Sequence, residues 1–257
     1  MTDLKIMTLN LKNGGSAEEF ARRSPSILEM IRRYDPDLIG VQELMDFMIP
    51  GLSEVQESYT FFGKARGSSR ANERCCVLFR KDRFTFLEGA TFWLSDQPDV
   101  KGSKFGESIF PRIATYAVLN DSLSEKTLTF ANTHLDHLLP PARTKQTNVL
   151  CRVLGETKKG DCLFLTGDFN SSLLSAAVRR IADDPVLKVK DTVPNDAAST
   201  IRGFIQPSSS GYRPIDHVFV PDDLTVVKSE VIKDMFLGRY PSDHNPVITT
   251  VRFPDEN

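Results

Sequence analysis

Six short apolar runs in this chain each end on, or are broken by, side chains that are costly to bury alone. Ile6-Met7-Thr8-Leu9 runs into Asn10, and Leu38-Ile39-Gly40-Val41 runs into Gln42-Glu43. Leu128-Thr129-Phe130-Ala131-Asn132-Thr133 leads to His134, and Leu163-Phe164-Leu165-Thr166-Gly167 leads to Asp168 and then Asn170. Asp216-His217 separates Ile215 from Val218-Phe219-Val220, and Ser242-Asp243-His244 precedes Asn245-Pro246-Val247-Ile248. Runs of this length and composition read as buried strands. A charged group ending a buried strand needs a partner, because desolvating it alone is expensive. One such group is usually a solvated cap. Six in one chain point to a shared partner, and a cation held between strand ends is the simplest. The donors are mostly carboxylate and carboxamide oxygens, which suit a hard ion such as magnesium or manganese rather than structural zinc.

The elements around these runs fall into two similar halves. The first has a strand over 4–11, a helix opened by Ser24-Pro25 with Ile27, Leu28 and Ile31 on one face, a strand over 38–41 and a weaker helix to about Ser58. Strands over 59–62, 74–79, 84–87, 90–94 and 113–119 follow. The second half repeats the order: a strand over 128–135, a helix over 141–156, a strand over 162–165, a helix over 173–181, and strands over 215–220 and 247–251. No linker separates the halves. The 257 residues therefore read as one α/β domain, 1–257, with two sheets face to face and helices outside. Long loops over 95–111 and 193–214 are candidates for shaping a site.

Thr8-Leu9-Asn10, Gln42-Glu43, Thr133-His134-Leu135, Gly167-Asp168-Phe169-Asn170, Ile215-Asp216-His217-Val218-Phe219 and Ser242-Asp243-His244-Asn245-Pro246, in this order, resemble the signature of the endonuclease/exonuclease/phosphatase superfamily. The resemblance implies a four-layer αββα sandwich, DNase I-like, and a magnesium-dependent phosphoester hydrolase. It implies that Glu43, helped by Asn10, holds the metal, with Asp243 a further metal carboxylate. Asp168 activates the attacking water and Asn170 binds the phosphate. His244 contacts a phosphoryl oxygen, oriented and kept cationic by Asp216. The Thr-His-Leu motif at His134 resembles the branch of DNases and deadenylases more than the abasic-site nucleases. In that branch Glu73 stands where a carboxylate pairs with the histidine, and Arg112 resembles an arginine that reaches the substrate phosphate. His137 and His217 are expected to satisfy local hydrogen bonds, and Trp93 to pack in the core.

The net charge of −2 argues against a protein that grips long duplex nucleic acid through many phosphate contacts. A nucleotide, a short nucleic acid or a phosphorylated small molecule is the expected substrate. Four cysteines, Cys75, Cys76, Cys151 and Cys162, show no zinc or disulfide spacing and read as buried thiols. The start of the chain lacks a signal-peptide pattern, and no apolar run approaches the ~20 residues of a spanning helix. The expectation is a cytoplasmic monomer that does not engage a membrane. The alternative from another class is an inactive scaffold or binding module of the same fold; a competent residue at every motif position favours the enzyme.

Overall fold

The computed structural model describes residues 2–67, 72–160, 162–194, 199–202 and 214–254. β1 (Asp3–Asn10) is followed by α1 (Ala17–Tyr34), β2 (Leu38–Leu44), a 3-10 segment (Asp46–Leu52), α2 (Ser53–Ser58), β3 (Tyr59–Phe62), β4 (Arg74–Arg80), β5 (Phe84–Trp93) and β6 (Ile113–Asp121). Then come β7 (Thr127–His134), α3 (Pro140–Thr157), β8 (Cys162–Asp168), α4 (Ala176–Ala182), β9 (Val189–Asp191), β10 (Asp216–Pro221), β11 (Thr225–Val231) and β12 (Val247–Arg252). One six-stranded sheet has the order β11-β12-β1-β2-β4-β3 and the other β5-β6-β7-β8-β10-β9. Two pairs are parallel, β1 with β2 and β7 with β8. A parallel pair requires a crossover, and α1 and α3 supply it.

Period-two alternation divides every central strand between two cores. Leu4 and Ile6 of β1, Leu38 of β2, Phe130 of β7, Phe164 of β8 and Val218 of β10 meet in the layer between the sheets. Met7, Leu9, Ile39 and Val41 face α1 and the 3-10 segment. Ala131, Leu163, Leu165 and Phe219 face α3 and α4. The result is the expected αββα sandwich. The same alternation carries Asn10, Gln42, His134, Asp168 and Asp216 onto the inner faces, at the strand ends that share one end of the molecule.

Several boundaries differ from the sequence reading. α1 starts at Ala17, where the Ser16 hydroxyl caps the Glu19 amide, rather than at Ser24-Pro25. Pro25 lies inside this helix, and the Ser24 hydroxyl donates to Ala21 O, the carbonyl that Pro25 has no N–H to reach. β5 is one continuous strand with a register shift between Phe86 and Glu88, not two strands. β9 and β11 were not anticipated; β11 is a largely exposed edge strand with a register shift, and its apolar signal is weak.

Just below the polar ends, the sheets are joined by side chains. Gln42 Nε2 donates to Thr8 Oγ1 at 3.0 Å and to Asn132 Oδ1 at 2.6 Å, and Asn132 Nδ2 donates to Val41 O at 2.8 Å and Cys76 O at 2.9 Å. Gly40 leaves the room for this. A Cβ there would lie 1.9 Å from Thr166 Oγ1 and 2.7 Å from Asn132 Oδ1. Gly40→Ala is therefore expected to cost about 1–3 kcal/mol by forcing the sheets apart. Urea unfolding will check this; a stability equal to that of the parent would mean the layer is loosely packed.

Candidate active site

Glu43 owes its direction to a break in its strand. Its φ is +60°, left-handed for a residue with a side chain, and the β2–β4 register shifts between Val41 and Leu44. Gln42 points between the sheets, so strict alternation would send Glu43 to the α1 side. The break instead lets both serve the inner end. Glu43 Oε2 accepts from the Asn13 amide at 2.6 Å and Oε1 from Asn10 Nδ2 at 3.1 Å. The same Asn10 nitrogen donates to Asp168 Oδ2 at 3.0 Å, so one carboxamide ties a carboxylate from each sheet. Non-glycine residues held in this backbone region cluster at functional sites.

Asp168 and Asn170 form a tight turn off β8. The Asn170 amide donates to Asp168 Oδ1 at 2.9 Å, Asn170 φ is +48°, and its Nδ2 donates to Leu135 O at 3.1 Å. Asp168 is 2% exposed. Burial, reinforced by Asp216 opposite it in register, pushes its carboxyl up to about 7, against the opposing pull of His244.

His244 Nδ1 donates to Asp216 Oδ2 at 2.9 Å, and its Nε2 lies 3.8 Å from Asp168 Oδ2. Burial opposes its charge, but Asp216, through charge and hydrogen bond, together with Asp168 and Asp243, raises it to about 10. It is a cation at neutral pH. His134 is the opposite case: burial, then Arg112 and Arg66, hold it well below the usual imidazole range, so it is neutral. Its Nε2 lies 3.5 Å from Asp168 Oδ2, and its buried Nδ1 has no hydrogen-bond partner among the described residues. Ligand atoms of Glu43, His134 and Asp168 lie within 4.8 Å of one another, and so do those of Asp168, Asp216 and His244. The first group has the donor set of a metal site; in the second, His244 as a cation has no lone pair to offer an ion.

These side chains open onto a cavity of about 590 Å³, in the range of small-molecule sites, which Arg66, Glu73, Phe110, Arg112 and His137 also line. Glu73 does not pair with His134 as the resemblance implied. Its carboxylate takes Arg66 at 2.8 and 2.9 Å and is also hydrogen-bonded by Asn13 Nδ2. A guanidinium satisfies both oxygens at once, and that outcompetes a neutral imidazole. Asp243 stands outside both ligand groups: Ser242 Oγ donates to its carboxylate at 3.3 Å and Arg202 N to its carbonyl. Its charge bears on His244 instead.

His217 meets expectation. It points away from the cleft, with Nδ1 2.5 Å from Asp191 Oδ2 and Nε2 2.9 Å from Ser171 O. Trp93 is buried beside Cys75 and Ile113, and its indole donates to Arg66 O at 2.8 Å. His137 does make a local hydrogen bond, to Arg112, but it also lines the cavity. Sequence reasoning missed Asn13, Arg66 and Phe110, which lie in loops where only the fold supplies proximity. Of the 95–111 loop, Phe110 reaches the cavity; most of the 193–214 loop lies outside the described residues.

The sequence pattern of the endonuclease/exonuclease/phosphatase family matches residues 7–244. The chain belongs to that family. As a member it is a phosphoester hydrolase. Among solved structures, a family protein from Bacteroides thetaiotaomicron superposes with a TM-score of 0.85 at 26% identity, over 97% of this chain and 98% of that one. A mannosyl-6-phosphatase from the same organism gives 0.81 at 26%, over 97% and 100%. The human Nocturnin catalytic domain shares the fold, at 0.74 and 20% identity over 98% and 94%. No functionally curated protein matches the sequence. No helix among the described residues is long and apolar enough to cross a membrane.

Proposed function

We propose that this family member is a magnesium-dependent phosphohydrolase, acting on a phosphorylated small molecule, a nucleotide or a short nucleic acid by in-line attack of water. The observation that carries the reading is the convergence of Glu43, His134 and Asp168 from two sheets, with ligand atoms within 4.8 Å of one another, beside a partly buried histidine cation. A buried carboxyl raised to about 7 by burial and a neighbouring Asp216 is what a missing counter-charge produces, so a divalent cation fits the residues present. Glu43 and Asn10 would hold it, with manganese as a substitute. When bound, the ion neutralises charge on the phosphoryl oxygens.

The chain's own groups do the rest. Asp168 takes the proton of the attacking water, its ionised, proton-accepting form being favoured beside a bound cation. Asn170, with one amide hydrogen committed to Leu135 O, turns the other to the phosphate. His244 donates from Nε2, its charge sustained by Asp216, and Arg112 adds a second cation. The relative that is a mannosyl-6-phosphatase supports a phosphorylated small molecule among the substrate classes. We read the chain as a single domain, because the inner core draws on both sheets, and as a cytoplasmic monomer, in keeping with four buried cysteines.

A panel of phosphoesters assayed with magnesium and with manganese tests the reading. Glu43→Gln removes charge at constant volume. Magnesium at a hundredfold over its Kd should stabilise the parent by about 2.7 kcal/mol and the variant by far less. Thermal unfolding with and without the ion measures this, and an equal gain in both proteins would remove Glu43 from the metal site.

A further inference from the structure

Two buried arginines in this protein are treated very differently. At the far end of the sandwich, Arg83 is fully met: Nε and Nη2 donate to the two oxygens of Asp121 at 2.8 and 2.7 Å, and Nη1 lies 3.1 Å from Asp37. In the cleft Arg112 is 5% exposed, yet among the described residues no carboxylate pairs with it and its Nε and Nη1 have no hydrogen-bond partner. One oxygen of the nearby Asp136, Oδ1, accepts from the Leu138 and Leu139 amides at 2.9 Å each, and Arg112 acts on this carboxylate through charge but not through a hydrogen bond. Arg112 instead gives Nη2 to His137 Nδ1 at 3.0 Å.

That contact fixes the histidine's chemistry. A guanidinium can only donate, so His137 Nδ1 is the acceptor and the ring's proton sits on Nε2. Burial and the charge of Arg112 both hold the ring below its ordinary pKa, which keeps it neutral. The ring is also held in place. Its turn is pinned by the Asp136 bonds above, by the Asp136 amide donating to Gln146 Oε1 at 2.8 Å and by Arg143 donating to Asp136 O at 3.0 Å. Phe110 stacks on it, centroids 6.2 Å apart and planes 29° from parallel. A rigid turn thus carries an N–H donor on a residue that lines the cleft, next to a guanidinium that no carboxylate of the described residues hydrogen-bonds.

We infer that Arg112 and His137 form one donor pair for a non-bridging oxygen of a terminal phosphoryl group, so that the enzyme prefers phosphomonoesters to diesters. The inference rests on the proposed hydrolase function and extends it to the substrate class. The oxygens decide the class: the cation held by Glu43, the Nε2–H of His244 with Asn170, and the Arg112–His137 pair make three separate stations. A terminal phosphoryl group offers three non-bridging oxygens and a diester only two, so a diester leaves one station unmet. Leaving a buried donor such as the Arg112 guanidinium unmet is costly.

The test has two readouts. Calorimetry with inorganic phosphate needs no turnover. His137→Phe keeps the ring for Phe110 and removes the donor, and should weaken phosphate roughly ten- to a hundredfold, the range for a hydrogen bond to a charged group. His137→Gln restores a donor and should recover most of the loss. In steady-state assays, the ratio of kcat/KM for p-nitrophenyl phosphate to that for bis(p-nitrophenyl) phosphate should exceed one in the parent and fall about tenfold in His137→Phe. Unchanged phosphate affinity in His137→Phe, or an equal loss on both esters, overturns the pair while leaving the hydrolase reading intact. If neither ester is turned over with either metal, these two are not substrates, and the calorimetry still decides whether the pair binds phosphate.

Discussion

Asp168→Asn is expected to lower kcat by roughly two to four orders of magnitude, the span of general-base catalysis, while making the metal-free protein more stable at neutral pH. The two effects share one cause. Burial and the facing Asp216 raise the Asp168 carboxyl to about 7, far above the roughly 3.9 of an unfolded aspartate. The folded protein therefore holds this proton more tightly than the unfolded chain. Its contribution to stability is complete below about pH 4 and is lost as pH rises through 7. Above that, the ionised carboxylate is a cost, which an amide of the same shape removes. In chelator, the melting temperature of the parent should fall between pH 5 and 8 while that of Asp168→Asn stays flatter, with roughly 2–4 °C for each kcal/mol recovered. Magnesium should stabilise both proteins and the parent more, because Glu43 and Asn10 would hold the ion in either while only the parent has the Asp168 charge for it to offset. A variant that is less stable than the parent at pH 7.5 in chelator would mean that Asp168 is already well compensated by His134 and His244.

The second large effect is expected from Asp216→Asn, and it should act through His244. Asp216 is the main support of a cation that burial opposes, and the pair is 2.9 Å apart. A raised histidine pKa gives stability that is fully present below about 6.5 and lost as pH climbs toward 10. Activity that needs the same cation should lose its alkaline limb near 10 in the parent. The amide keeps a hydrogen bond to Nδ1 but withdraws the charge, so the limb should move down by about one to three pH units. At pH 8 the variant should then be slow, while its magnesium affinity stays near that of the parent. A limb that does not move, accompanied by weaker metal binding, would reassign Asp216 from the histidine to the metal.

Much of this site was legible in the sequence because strands alternate. Once Leu4, Ile6 and Thr8 are known to face the other sheet, Asn10 must face it too, and the same count places His134, Asp168 and Asp216. Glu43 is the exception that counting cannot reach. Only a left-handed residue at a register slip turns it inward beside Gln42. The Glu73 partner was also out of reach, since Arg66 carries no periodic signal and meets Glu73 through backbone pairing before β4, with the Arg66 amide bonded to Glu73 O at 2.9 Å. Among the helices, Pro25 was read as a start because proline favours first turns. The true start is set by Ser16, and the Ser24 hydroxyl reduces the cost of proline within the helix.

The placement of β1 bears on how the protein is made. Its neighbours are β2, which follows closely in sequence, and β12, near the other end of the chain, so that Leu4 pairs with Val251. A nascent chain can pair β1 with β2 early, but the second edge of β1 stays open until Val247–Arg252 has left the ribosome. At about 5–20 residues per second, that wait is on the order of ten to fifty seconds. Through that interval an apolar strand offers unpaired backbone groups to any other strand, the condition that favours aggregation. Chains stalled or clipped before β12 should accordingly be insoluble and not merely inactive, and cellular holdases should be found on the unfinished protein.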